Sequence, residues 1–286
     1  MTTATQPKKK VKVKVKEELP TKIGQRETVI PFDETFKWPG TRGMITFDGP
    51  QFQEWAHETL PVSRGLEPMS QPEATRSGIK IDDFVFYLLR LPLYRWGSRY
   101  EGMGFFGGFF LPTDNVPIRT TLEVYRGKQH GNCGFSTPIN MPVLAKPDRF
   151  TAGKLNPWMS LTPNEILTQR GQIRRAKKNT AMAGLGLGWA ARKVLERKQV
   201  THLTVYEQSQ GVIDYFGASL KKDFPGKVTL VCADAYEVDW LKHDVALWDI
   251  WDDWGGASWD SKFDKIRFEM ERDGRVCIGW GQGAGK

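Results

Sequence analysis

Apolar and polar positions follow different patterns in the two halves of the chain. Up to residue 157 the apolar residues form short runs without a sustained helical period, apart from one short helix predicted near residues 50–59. A long apolar and aromatic run at 79–93 and a shorter one at 120–125 predict strands, and glycine and phenylalanine at 102–111 predict strands with tight turns. Residues 23–157 are therefore predicted to be a β-rich region with long loops.

The pattern changes at Trp158, and the residues that follow it predict the start of a helix. Thr162 offers a capping hydroxyl, Pro163 suits the first helical position, and Glu165 places a carboxylate in the first turn. We expect this helix to run to about Ala176. Its basic residues predict a solvated face, formed by Arg170, Arg174, Arg175, Lys177 and Lys178.

Strand and helix patterns alternate through the last hundred residues. Candidate strands lie at 180–183, 202–207, 228–232, 244–250 and 275–280. Apolar residues recur every three or four positions in three of the intervals between them. Such alternation is typical of a parallel sheet with right-handed crossovers. The prediction is an α/β chain: a Rossmann-like parallel sheet in the order 3-2-1-4-5, preceded by the β-rich N-terminal region.

A glycine-rich turn follows the first of these strands and precedes the first helix. It reads Gly184-Leu185-Gly186-Leu187-Gly188. Glycines there let the backbone come close to a ligand, and the start of the next helix adds unpaired N–H groups. Trp189 stands where a dinucleotide-binding turn needs a small residue, so the turn favours a nucleoside without a pyrophosphate over NAD or FAD.

Acidic residues follow the next three strands. Glu207, with Gln208 behind it, could accept hydrogen bonds from both hydroxyls of a ribose, and Asp234 with Ala235 could meet an adenine. Asp249 follows the fourth strand. Ligands of open α/β sheets bind beyond the carboxyl ends of the strands, so these three carboxylates are expected to face one crevice.

Asp249 and Asp252 are the candidate catalytic residues. Trp248 and Trp251 flank Asp249, and alternation along the strand sends Trp248 to the opposite face, which leaves Trp251 as the expected wall of the pocket. A carboxylate near apolar rings and a second acid should have a raised pKa, as suits a general base.

These motifs resemble the class I S-adenosylmethionine-dependent methyltransferases, and most of all their spermidine-synthase-like branch. The resemblance rests on the segments GLGLGWAARKVL (184–195), THLTVYEQSQGVIDYFG (201–217), CADAYE (232–237), HDVALWDIWDD (243–253) and WMSLTPNEILTQR (158–170). It implies S-adenosyl-L-methionine as cofactor, held by Gly184, Leu185, Gly186, Gly188, Glu207, Gln208, Asp234 and Ala235. It also implies Asp249 and Asp252 as the carboxylates that receive the substrate, with 158–170 walling the site.

Two departures from that family keep other functions open. Leu187 stands where polyamine synthases carry an aspartate, and Met182 stands where methyltransferases often carry an acidic residue. The leading hypothesis is a methyltransferase acting on a small-molecule acceptor, with an amine as one candidate. The alternatives are an aminopropyltransferase and a non-catalytic binding module that keeps the fold. The last antiparallel strand pair of the family is also missing, unless the N-terminal region supplies it.

Charge and cysteine content add the cellular context. Residues 1–22 contain seven lysines and two glutamates and thus carry +5 of the net charge of +8. We interpret them as a disordered basic tail, which either contacts nucleic acid or only solubilises the chain. Three scattered cysteines and the lack of an apolar span or signal indicate a cytoplasmic protein that does not enter a membrane. His130 and Cys133 are too few to predict a metal site, and an oligomer stays open. Residues 158–286 then form the cofactor-binding domain.

Overall fold

The computed structural model describes residues 29–36, 44–91, 120–124, 129–148, 152–251 and 260–280. The predictions for the tail at 1–22, for the glycine–phenylalanine run at 102–111 and for Asp252 lie outside these residues.

The N-terminal region contains nine strands and two helices among its described residues. In chain order they are β1 (Val29–Ile30), β2 (Met44–Phe47), α1 (Gly49–Thr59), β3 (Pro68–Met69), α2 (Gln71–Ser77), β4 (Ile79–Ile81), β5 (Phe84–Leu91), β6 (Thr120–Val124), β7 (Gln129–Phe135), β8 (Ile139–Pro147) and β9 (Leu155–Ser160). One sheet has the order β1-β2-β7-β6, and a second has the order β3-β5-β8-β9 with β4 paired to β5. The β-rich character predicted for this region is present.

Local sequence explains the breaks between these elements. The apolar run at 79–93 is divided by Asp82 and Asp83 into the antiparallel strands β4 and β5, and Asp82 has a positive φ of 49°. The predicted short helix is α1, whose cap Asp48 accepts a hydrogen bond from the Gln51 N–H. The segment around His130 and Cys133, read as a loop, belongs instead to β7 because β2 and β6 pair with it on both sides.

The C-terminal region alternates strands and helices. Its elements are α3 (Pro163–Arg175), β10 (Lys178–Ala183), α4 (Trp189–Leu195), β11 (Val200–Glu207), α5 (Gln210–Asp223), β12 (Val228–Cys232), β13 (Val245–Trp248), α6 (Ser261–Arg272) and β14 (Val276–Gly279), with short 3-10 turns at Ala235–Glu237 and Trp240–Lys242. All pairings among the five strands are parallel, and the sheet order is β12-β11-β10-β13-β14. The C-terminal half is thus an α/β layer structure with β10 at its centre. None of the described N-terminal strands joins this sheet.

The first helix of this half follows its capping signal but not its predicted exposure. Thr162 caps α3 by accepting from the Glu165 N–H at 3.3 Å. Arg170 was expected on a solvated face, yet its guanidinium lies over the ring of Phe36 at 4.7 Å and donates to the Phe36 carbonyl. The segment 29–36 therefore covers this part of α3, and the basic face is only partly solvated.

One continuous apolar core joins the two regions. Phe86 of β5 packs against Phe216 of α5 with ring centroids 5.1 Å apart, and both rings are buried. A second cluster, on the side of the sheet that α6 covers, centres on Trp248 and Phe263. The sheet is consequently buried on both faces, as parallel sheets require.

The helices of the described chain are all short. The longest, α5, has 14 residues, and none of the described helices combines the length and the apolar character that a membrane crossing demands.

Candidate functional site

The carboxyl ends of the central strands meet at one edge of the parallel sheet. The Gly184 N–H donates to the carbonyl of Tyr206 at 2.8 Å, and the Asp249 N–H donates to the carbonyl of Ala183 at 3.1 Å. These bonds place the glycine turn, the end of β11 and the end of β13 side by side. The sequence expectation of a shared edge follows directly from the parallel pairing.

The glycine turn uses the conformational freedom of its glycines. Gly184, Gly186 and Gly188 have φ values of 89°, 52° and 80°, a region that residues with side chains enter only at a cost. A Cβ at Gly184 would also come within 2.5 Å of the Asp249 carbonyl oxygen. Glycine at 184 is thus demanded both by the backbone angle and by the close approach of β13.

Met159 of β9 covers this turn. Its Sδ lies 3.2 Å from the N–H of Leu187 and 2.0 Å from the place where a Cβ at Gly186 would stand. The cradle formed by the glycines is therefore filled by a thioether from the N-terminal sheet. The segment that contains Met159 walls the site, in keeping with the expectation for residues 158–170.

Glu207 is held in a defined orientation at the end of β11. Its Oε2 accepts from the Leu185 N–H at 2.8 Å, and its Oε1 accepts from the Ser209 N–H at 3.0 Å. The residue is half-buried, and each carboxylate oxygen keeps a lone pair for a further donor. This arrangement links the carboxylate directly to the glycine turn.

The residues expected near an adenine lie farther out on the same edge. Asp234 is exposed and caps the following 3-10 turn by accepting from the Tyr236 N–H at 2.9 Å. Ala235 is buried. Gln208, which was expected beside Glu207, is exposed. The adjacent strand ends bring Asp234 and Glu207 together, since the Ala233 N–H donates to the Glu207 carbonyl at 3.0 Å.

Asp249 faces away from this exposed part and toward α3, so the prediction that Glu207, Asp234 and Asp249 face one crevice is wrong: the strand ends share an edge, but α3 covers Asp249. Its Oδ2 accepts from the Gln169 Nε2 at 2.6 Å, and burial raises the pKa of its carboxyl to about 7 against the lowering effect of that hydrogen bond. Glu165 lies nearby, with its Oε2 accepting from the N–H and the hydroxyl of Ser160 at 3.0 and 3.1 Å. Burial and the charge of Asp249 raise the pKa of Glu165 to about 8.

The two carboxyls line one small cavity together with part of the glycine turn. Its other walls come from β9, α3, β10 and α4, and the lining residues include Met159, Gln169, Met182, Gly184, Leu185 and Trp189. The space has room for about one water molecule. It can therefore admit a small reacting group but not a nucleoside.

The prediction that Trp251 forms a wall of this pocket is wrong. Trp251 stacks on Trp248 at 6.2 Å and meets Phe263 edge-on at 5.1 Å, so it belongs to the apolar cluster beneath α6. Its indole N–H donates to Asp260 at 2.9 Å. The chain turns after the strand end toward α6, and the apolar wall beside Asp249 is supplied by Trp189 and Met182 instead.

Glu165 is the site residue that sequence reasoning missed, because it was assigned only to the helix start. Its side chain extends beyond the cap residue Thr162 and accepts a hydrogen bond from Ser160. The signal was available as spacing: Glu165, Thr168, Gln169 and Gln172 recur every three or four positions and are all buried. A polar stripe at helical spacing that faces a sheet indicates a polar site beneath the helix.

These residues could hold a nucleoside-bearing ligand with a thioether or sulfonium arm only with Met159 displaced from the glycine turn. The cradle at Gly186 already holds a C–S–C group, and the carboxylate of Glu207 is oriented beside it. Because the inner cavity is so small, the nucleoside of such a ligand would lie on the exposed edge near Asp234, and its arm would compete with Met159 for the cradle.

Comparisons with known proteins give no sequence relative and only partial structural matches. No protein-family model matches the chain, and no curated protein matches it in sequence. Among solved structures, a dimethyladenosine transferase from Plasmodium falciparum is 14% identical with a TM-score of 0.30, over 37% of this chain and 36% of that one. Spermidine synthase from Thermotoga maritima is 17% identical with a TM-score of 0.26, over 38% and 44% of the two chains. Trm5b from Pyrococcus abyssi is 11% identical with a TM-score of 0.27, over 45% and 39%.

The chain spans less than half the length of each of these structures. With such low scores, the fold assignment rests on the pairing of the chain's own strands. The central β10, the crossover helices and the glycine turn between β10 and α4 make the C-terminal half a Rossmann-like fold.

Proposed function

We propose that this protein is an S-adenosylmethionine-dependent transferase, and more specifically a methyltransferase. The observation that carries the proposal is the shared cavity: the desolvated carboxyl of Asp249 and the glycine turn at Gly184 and Leu185 line the same small space. That space lies beyond the carboxyl end of β10 in the parallel sheet, and open α/β sheets bind ligands at this end of their strands.

The chain's residues divide the work between binding and proton transfer. Glu207 accepts hydrogen bonds from the ribose hydroxyls, and Asp234 lies beside the adenine. The glycine turn contacts the methionine part of the cofactor. The cofactor supplies an already activated carbon, so the protein has mainly to align a nucleophile with it. Asp249, with a pKa near neutral, takes the proton that the nucleophile loses.

Glu165, whose carboxyl has the higher pKa of the two, supports this role by holding a proton beside Asp249. Two desolvated carboxyls beside one cavity resist being ionised together, so the pair retains a proton near neutral pH. An amine acceptor entering the cavity would meet one carboxylate and one carboxylic acid. The aminopropyl alternative uses the same residues with a different arm on the sulfur.

The non-catalytic alternative is favoured by one observation, the position of Met159. A thioether that fills the cradle and accepts from the Leu187 N–H would suit a site that no longer turns over. The pairing of Asp249 with the buried Glu165 favours the enzyme, because a degenerate site has no reason to keep two acids with raised pKa values beside one cavity.

Calorimetry tests the cofactor assignment. We expect S-adenosylmethionine or S-adenosylhomocysteine to bind more tightly than NAD, and Glu207→Ala to lose about 1.5–3 kcal/mol of that affinity, the value of hydrogen bonds to a charged group. Glu237→Ala is the matched control, since Glu237 is an exposed acid on the same edge. Unchanged affinity in Glu207→Ala would refute the ribose role, and tighter binding of NAD would overturn the choice of cofactor.

Asp249→Asn tests the chemical role. Asparagine keeps the shape and can still accept from Gln169, but it cannot take a proton. We expect transfer to an acceptor that the wild-type protein uses to slow by about 10²–10⁴-fold, with little change in cofactor affinity. Asp214→Asn, on the exposed side of α5, is the control and should keep the wild-type rate. A wild-type rate in Asp249→Asn would make Asp249 a structural residue.

A further inference from the structure

Asp82 lies far from the glycine turn in sequence and belongs to the β-rich region. It occupies the two-residue turn between β4 and β5, is exposed, and has a φ of 49°. A residue with a side chain enters this left-handed region at a cost of about 1–2 kcal/mol, which aspartate tolerates better than most. The turn thus keeps an aspartate where glycine would be the easier residue.

The side chain of Asp82 accepts two hydrogen bonds from the start of α5. Its Oδ2 accepts from the Ser209 hydroxyl at 2.6 Å and from the Gly211 N–H at 2.8 Å. These hydrogen bonds, first that of Ser209 and then that of Gly211, hold the pKa of Asp82 below its usual value. A negative charge is also favoured at the N-terminus of a helix.

The same segment orients Glu207. Ser209, whose hydroxyl binds Asp82, donates its own N–H to Glu207 Oε1 at 3.0 Å, while the Leu185 N–H holds Oε2 at 2.8 Å. Ser209 also caps α5 by accepting from the Val212 N–H at 3.1 Å. Asp82, Ser209 and Glu207 therefore form one chain of hydrogen bonds that runs from the N-terminal sheet to the glycine turn.

We propose that Asp82 is a positioning residue for the ribose-binding carboxylate: through Ser209 it sets the orientation of Glu207. The β-rich region then does more than shape the acceptor side, because one of its turns completes the cofactor side of the site. This inference rests on the proposed function, since Glu207 must be the residue that meets the ribose.

Gly211 allows this contact to be broken in a second way. A Cβ at position 211 would lie 2.9–3.0 Å from the carboxyl atoms of Asp82, so alanine there displaces the end of the Asp82 side chain. The φ of Gly211 is not positive, and alanine is a better helix former than glycine. Gly211→Ala therefore breaks the contact without weakening α5, and it serves as the test even if an Asp82 variant folds poorly.

The experiment compares affinities for S-adenosylhomocysteine and for its 2′-deoxyribose analogue by calorimetry. The wild-type protein should prefer the hydroxylated compound by at least about tenfold, the value of a hydrogen bond to a charged group. Asp82→Gly and Gly211→Ala should reduce this preference to below about threefold, because residues of one hydrogen-bonded network are energetically coupled. Asp82→Asn, which keeps an acceptor oxygen, and the neighbouring Asp83→Ala should retain it.

The preference between the two compounds, rather than overall affinity, decides the matter, since a merely structural role would weaken both equally. Preservation of the wild-type preference in both Asp82→Gly and Gly211→Ala would overturn the inference and leave the proposed function standing. A wild-type protein that binds neither compound would instead overturn the proposed function, and the role of Asp82 with it.

Discussion

At the scale of single residues, the least expected feature is a glutamate buried at the start of a helix. Glu165 is 8% exposed, and among the described residues only Ser160 donates to it. Burial raises its pKa to about 8, above the ordinary value of 4.5. The folded state therefore holds this proton more firmly than the unfolded state, so the stabilising contribution is complete below about pH 4 and is lost as the pH rises through 8.

Glu165→Gln should remove this dependence. We expect the variant to be more stable than the wild-type protein at pH 9 by at least about 1 kcal/mol, with little difference at pH 5, since glutamine cannot ionise and still accepts from Ser160. Urea unfolding at the two pH values measures the effect. Glu58→Gln, at an exposed position of α1, is the control. Equal stability of Glu165→Gln and wild type at pH 9 would show that Glu165 ionises freely.

At the scale of elements, the glycine turn between β10 and α4 couples conformation to packing. A Cβ at Gly184, whose φ is 89°, would lie 2.5 Å from the carbonyl oxygen of Asp249, the residue after β13. The nearest atom to a Cβ at Gly188 is 3.8 Å away. Both positions demand a left-handed backbone, but only one is also sterically closed. The two glycines should therefore differ in how well they accept alanine.

Gly188→Ala should lower the free energy of unfolding by about 1–2 kcal/mol, the cost of the left-handed conformation. Gly184→Ala should cost at least about 1 kcal/mol more, because β10 and β13 must also separate to relieve the overlap. Denaturant unfolding of the two variants provides the comparison. Equal losses would mean that the strand ends are free to move apart.

At the scale of the whole molecule, the two halves of the described chain share one apolar core. The rings of Phe86 and Phe216 and the hydrogen bonds of Asp82 tie the β-rich region to the parallel sheet. The strand β9, at Leu155–Ser160, pairs with β8 and also presents Met159 to the glycine turn. These contacts join the described parts of the two halves through one apolar core.

Deletion of residues 1–22 should change the melting temperature by less than about 2 °C, because a lysine-rich segment buries little apolar area. We propose a nucleic-acid contact for this tail. If it exists, affinity for duplex DNA should fall steeply between about 50 and 200 mM salt and disappear on deletion. Absence of DNA binding by the full chain would leave the solubilising role, and a melting temperature lowered by several degrees would show that the tail belongs to the fold.

Local pattern alone determined the elements of the C-terminal half. The cap at Thr162 predicted α3, the periodic apolar residues predicted α4, α5 and α6, and five apolar runs predicted the five strands. Helix and strand periods are properties of neighbouring residues, so one sequence suffices to find them. The glycine turn and the acids behind β11, β12 and β13 follow for the same reason, because parallel strands bring their carboxyl ends to one edge.

Only the tertiary structure decided which side chains meet at that edge. Asp82 and Ser209 are 127 residues apart in the chain, and Met159 crosses from another sheet to reach the turn at Gly186. Trp251 lies outside the pocket because the chain bends toward α6 just after β13. Such contacts depend on how separate sheets and helices pack, and no local period records that packing. The sequence thus determined the edge of the sheet where a ligand would bind. The fold determined that the acid beside Asp249 is the buried Glu165, and not a neighbour of Asp249 in sequence.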